Sequence, residues 1–86
     1  MNTFELTVST PDGNAYEGDA EALFVRGSEG DLAVLANHAP LVTAVKEGEC
    51  RIVRGDDEIK AEIKAGLLSV SDGGSTILLT TSFNRE

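Results

Sequence analysis

The chain has 86 residues, enough for one small domain around one hydrophobic core. Hydrophobic residues make up 41%, Trp is absent and aromatics reach only 5%, so that core is built from Val, Leu, Ile and Ala. Fifteen acidic residues against seven basic ones give a formal charge of −8, which repels phosphates and anionic lipid and argues against nucleic-acid binding and a polybasic membrane anchor.

Phe4, Leu6 and Val8 alternate with polar neighbours and predict a half-buried strand. Pro11-Asp12-Gly13 turns the chain, because Pro presets φ, Asp bonds its own backbone and Gly accepts positive φ. A short strand around Ala15-Tyr16-Glu17 follows and ends at Gly18. Ala22-Leu23-Phe24-Val25 is a continuous apolar run whose length and residue types predict a strand buried on both sides.

Gly27 to Leu41 is the stretch that plain alternation does not explain. Leu32 and Val34 alternate, but the segment also holds the single His38, Pro40, and Glu29 and Asp31 beside glycines. Leu41 to Val45 reads as a strand, and Glu47-Gly48 as a turn. Pro40 restricts Ala39 to extended conformations and starts that strand without an N–H.

The second half predicts hairpins. Arg51-Ile52-Val53 leads into the turn Gly55-Asp56-Asp57, and Ile59, Ala61 and Ile63 then alternate with Glu58, Lys60, Glu62 and Lys64. A helix would rotate Ile59 and Ile63 about 200° away from Ala61, so the strand is the better reading. Leu67 to Val70 and Thr76 to Thr80 flank the tight turn Asp72-Gly73-Gly74. Turns recurring every 8–12 residues or so predict an all-β sandwich or barrel. Nine or ten short strands of about 17 Å fit, in a single domain over residues 1–86.

Catalytic chemistry finds little footing. Cys50 lies among Arg51, Ile52 and Val53 and reads as a small core hydrophobe rather than a nucleophile partnered by His38. One Cys and one His supply neither an internal disulfide nor a metal site. Gly27-Ser28-Glu29-Gly30 lacks the Lys and hydroxyl of a P-loop, and its carboxylates repel phosphate. No cofactor is expected. No secretory signal opens the chain, and no apolar run is long enough to span a membrane.

Several of these segments, taken in order, resemble the epsilon subunit of the F-type rotary ATP synthase. They are Glu29-Gly30-Asp31-Leu32-Ala33-Val34-Leu35, His38-Ala39-Pro40-Leu41-Val42-Thr43-Ala44-Val45, Pro11-Asp12-Gly13 with Tyr16-Glu17-Gly18, Gly48-Glu49-Cys50-Arg51-Ile52, Gly66-Leu67-Leu68-Ser69-Val70 and Thr76-Ile77-Leu78-Leu79. Ala36, Glu47 and Ala65 depart from residues common in that family, and those changes touch turn stiffness only. Asp31 stands where Gly or Glu is frequent.

The resemblance implies a flattened β-sandwich of about ten strands on the rotating central stalk. It implies a non-catalytic subunit that docks on the gamma subunit and the c-ring and helps couple ion-driven rotation to ATP synthesis. Its place would be peripheral, on the cytoplasmic face of an energy-transducing membrane of the bacterial plasma-membrane type, without direct insertion. Glu29, Asp31 and His38 are the candidates for c-ring contact, and Leu41 and Val42 for gamma contact. The plainer alternative has Glu29 and Asp31 as solvated turn charges and His38 bonding backbone ahead of Pro40.

Family members usually continue into a C-terminal helical hairpin, whereas Ser82-Phe83-Asn84-Arg85-Glu86 stands where that hairpin begins. A piece of a longer subunit and a naturally short one both fit. ATP binding is not expected without the hairpin. A free-standing β-sandwich binding module, without enzymatic activity, is the alternative outside the family.

Overall fold

The computed structural model describes residues 2–86. Ten strands run in chain order: β1 (Phe4–Thr10), β2 (Gly13–Ala20), β3 (Ala22–Gly27), β4 (Gly30–Leu35), β5 (Leu41–Val45), β6 (Gly48–Arg54), β7 (Asp57–Ile63), β8 (Gly66–Val70), β9 (Thr76–Thr80) and β10 (Phe83–Arg85). They form a sandwich that is nearly a closed barrel, as the turn spacing predicts.

The pivot is β3. One of its edges pairs with β4 along its whole length, from Ala22 opposite Leu35 to Gly27 opposite Gly30. Its other edge is shared: Ala22 to Phe24 pair with β6, and Gly27 pairs with Val45 of β5. A strand has only two edges, so the sheet must turn a corner between Phe24 and Gly27, as strands that switch sheets do. One layer is then β4-β3-β6-β7-β10, and the other is β5-β8-β9-β1-β2. The Glu21 N–H donates to the Val53 carbonyl at 2.7 Å, and the Gly55 N–H donates to the Glu21 carboxylate at 2.7 Å, tying the end of β2 back to β6.

Between the layers lie the inward halves of the alternating strands. Leu6, Leu23, Ile52, Ile63, Leu68 and Leu78 are fully buried, and each such side chain contributes about 1.5–3 kcal/mol relative to exposure. Thr76 and Thr80 are the buried polar side chains, and each is satisfied: Thr76 Oγ1 donates to the Gly74 carbonyl and Thr80 Oγ1 to that of Lys64, both at 2.9 Å.

Two local expectations are corrected. β2 does not end at Gly18 but continues to Ala20, because its edge stays paired with β1 through Asp19 opposite Glu5 and Ala20 opposite Phe4. β3 is not apolar-packed on both faces. Ala22, Leu23 and Val25 are buried, but Phe24 is only half-buried and the Arg51 guanidinium covers its ring, 4.6 Å from the centroid. Among the described strands β1 and β9 form the single parallel pair.

Candidate functional site

The acidic segment singled out above is a hairpin end. Ser28 and Glu29 form the turn between β3 and β4, and both are exposed. Gly30 takes φ +132°, a conformation open to it because no Cβ is present. Asp31 is not in the loop but is the second residue of β4, exposed and opposite Arg26. A shallow hollow at this end is lined by Glu29, Asp31, Leu41 and Thr43, among others.

His38 lies beyond the opposite end of β4. The four steps from Asp31 to Leu35 alone cover about 13 Å of strand, so the structure does not bring Asp31 and His38 together. Asn37, just before it, is the one non-glycine residue with positive φ among the described residues, at +66°, a conformation Asn tolerates better than most side chains. The His38 N–H donates to the Leu35 carbonyl at 3.2 Å. Its Nδ1 lies 2.6 Å from the Ala39 carbonyl; a carbonyl only accepts, so Nδ1 carries the hydrogen in this contact. β4 pairs with β3 alone, so Glu29, Asp31 and His38 follow one free sheet edge.

A second surface lies on the outer face of the β5-β8-β9-β1 layer. The registers align two rows across it. One is Val42, Ser69, Ile77 and Thr7, and the other is Ala44, Leu67, Leu79 and Ser9. Val42 is 67% exposed, and Leu67, Ile77 and Leu79 lie between 42% and 47%. Side chains of one strand parity share a face, so these apolar groups are contiguous. Leu79, Leu67, Gly66 and Pro11 also line a recess of about 380 Å³ at one end of the patch. Leu41, the neighbour of Val42, has the other parity and packs inward against the core, which removes it from this face.

Leu67, Ile77 and Leu79 were not among the candidates, although their signal is in the sequence. Leu67-Leu68 and Ile77-Leu78-Leu79 are apolar at consecutive positions, unlike Glu58 to Lys64, and such runs imply a second covered face.

Charge is sorted between the layers. Among the described residues the four ion pairs join residues of the other layer and its adjoining turns: Arg51 with Glu58 at 3.1 Å and with Glu49 at 3.9 Å, Lys60 with Glu58 at 4.0 Å, and Lys64 with Glu47 at 2.5 Å. Lys64 holds the Glu47 carboxyl below its ordinary range by a direct hydrogen bond, and Glu47 in turn raises the Lys64 ammonium. Cys50 is fully buried on β6, and burial, with Glu49 adding to it, pushes its thiol up to about 12. A thiol so placed is no nucleophile. Among the described residues no group of three or more His, Cys, Asp or Glu is placed to hold a metal ion, and no helix is long and apolar enough to cross a membrane.

The family described as "ATP synthase, Delta/Epsilon chain, beta-sandwich domain" matches residues 3–84. The ATP synthase epsilon chain of Alkalihalophilus pseudofirmus is 37% identical over 78 residues, covering 91% of this chain and 59% of the relative. That of Nitrobacter winogradskyi is 36% identical over 86 residues, covering 100% of this chain and 64% of the relative. The chain thus spans about three-fifths of the length of the curated relatives it matches. Its fold is that of a chain in the Euglena gracilis mitochondrial ATP synthase OSCP/F1/c-ring structure, with TM-score 0.91, 23% identity and coverage of 99% of this chain and 54% of that one. It also matches a chain in the Tetrahymena thermophila mitochondrial ATP synthase central stalk/c-ring structure, with TM-score 0.80, 13% identity and coverage of 93% and 64%.

Proposed function

The chain belongs to the beta-sandwich family of the ATP synthase delta/epsilon chain, and from that premise we propose that it serves as a non-catalytic subunit of the central stalk. In this reading it docks on the gamma subunit through the outer face of β5-β8-β9-β1 and on the c-ring through the free edge of β4. It helps couple ion-driven rotation to ATP synthesis, held peripherally at the cytoplasmic face of the membrane.

The observation that carries the reading is the contiguous apolar face of Val42, Leu67, Ile77 and Leu79 on a domain of this family. Soluble monomers rarely leave such patches open unless they bind something. Glu29 and Asp31, exposed at one end of β4, suit polar, basic loops of a ring. Exposed pairs of that kind contribute about 0.2–1 kcal/mol each, so they orient the contact more than they hold it. His38, at the far end of the same edge, is the third candidate for the ring.

The test is recovery of partners. The tagged chain is purified from its source membranes with its companions identified by mass, beside an Ile77→Asp variant. Gamma and c subunits are expected with the unaltered chain, and gamma is expected to be lost with the variant. A chain that comes out alone, with ATP synthesis unaffected by its deletion, would instead be a free-standing binding module.

A further inference from the structure

The strands that build the apolar face carry charge on one flank only. β1, β2, β5, β8 and β9 carry no Lys or Arg, and all seven basic residues of the chain lie outside them. The acidic residues of these five strands are Glu5, Glu17 and Asp19, all exposed and all on the β1-β2 flank. Register sets them against the face: Glu17 is opposite Thr7, which is opposite Ile77, and Asp19 is opposite Glu5. Four strand spacings separate Val42 from Glu17 in the same row, about 19 Å. The three carboxylates have no ion-pair partner among the described residues. On the opposite flank, β5 ends at Val45 and is followed by exposed Lys46.

We propose that this face takes a stalk-subunit surface whose apolar strip is bordered by Lys or Arg along the side that meets β2, and that Glu5, Glu17 and Asp19 set the orientation of docking. The proposal rests on the reading of the face as the gamma-docking surface. Apolar contact is non-directional, and the four similar apolar side chains Val42, Leu67, Ile77 and Leu79 do little to select one way round. Carboxylates on the β1-β2 flank with Lys46 at the β5 flank do so, because a reversed partner sets its bases over Val42 and Lys46 and leaves Glu5, Glu17 and Asp19 unpaired. Such borders act mainly on association rate and specificity, and their effect is screened by salt.

The test measures association of the chain with the gamma subunit from the same source by stopped flow, between 20 mM and 500 mM NaCl. Three variants are compared with the unaltered chain: E5K/E17K/D19K, the charge-matched control D56K/E62K/E86K on the other layer, and Ile77→Asp. Circular dichroism melts check that each is folded. The rim variant is expected to associate about 10-fold or more slowly at low salt and to converge with the unaltered chain at high salt. The control is expected to change far less. Equal rates for the rim and control variants, or faster association of the rim variant, overturn the proposal. Loss of binding in Ile77→Asp together with an indifferent rim leaves the docking face standing and removes only the charged border. Undiminished binding in Ile77→Asp removes the docking face and this proposal with it.

Discussion

At the scale of single residues, the most constrained position is Gly66. A Cβ there would run into the Leu79 carbonyl oxygen of the paired strand, backbone that cannot step aside without breaking the β8–β9 ladder. Gly66→Ala is expected to cost about 3 kcal/mol or more, at the upper end of overpacking, as read from urea unfolding. Cys50 makes a complementary case. Its burial and raised thiol, about 12, predict that a thiol reagent at pH 8 labels it only at the rate of unfolding, and that denaturant restores rapid labelling. Labelling of the native chain within seconds would mean β6 is open. For the β4 edge, Asp31→Arg with His38→Ala is expected to weaken coupling in the assembled enzyme. The thermal midpoint should fall by no more than several degrees, since Asp31 is exposed and the His38 contact is one local hydrogen bond, worth about 1 kcal/mol or about 4–8 °C in a domain of this size. A large fall in midpoint with normal coupling would give both residues a purely structural role.

At the scale of elements, alternation was readable wherever one face of a strand meets water. β1 and β7 follow it, because a one-residue slip would turn every apolar group outward. β2 reads shorter in sequence than it is because Gly18 and Asp19 carry no apolar signal; pairing with β1 extends it to Ala20. The turn between β5 and β6 is held to the end of β7 by Lys64 and Glu47, and the sign of its pH dependence follows from the two shifts. Glu47 titrates below its ordinary value of 4.5, so its contribution is present above that value and is lost as pH falls through the folded one. Lys64 titrates above its ordinary value of 10.5, so its contribution is present below that value and is lost as pH rises further. Both groups are exposed, so the effect is small and screened. Glu47→Gln is expected to flatten the fall of the thermal midpoint below pH 4.5 at low ionic strength and to do little in high salt. An unchanged profile at low ionic strength would show that the pair contributes nothing in solution.

At the scale of the whole molecule, the described residues share one core between two layers joined through β3. Residues 1–86 are therefore expected to unfold in one transition, with calorimetric and van't Hoff enthalpies equal and a heat-capacity increment of about 1.0–1.3 kcal/mol/K. Two separate transitions would mean that the layers fold independently across the corner in β3.

An all-β sandwich, the turns, the inward halves of the strands, the core position of Cys50 and the family were legible in the chain alone, because each is written in local alternation, turn residues and motif order. Gly27 to Leu41 was recognisable as departing from alternation, but its content came apart in three dimensions. The acidic pair and His38 went to opposite ends of β4, and Leu41 turned inward while Val42 turned outward. These placements came from three-dimensional packing, as did the corner in β3, the parallel pairing of β1 with β9, and the joining of Val42, Leu67, Ile77 and Leu79 into one face. The physical reason is that register between distant strands is set by how two apolar faces close over a common core, and no short window of sequence contains both partners.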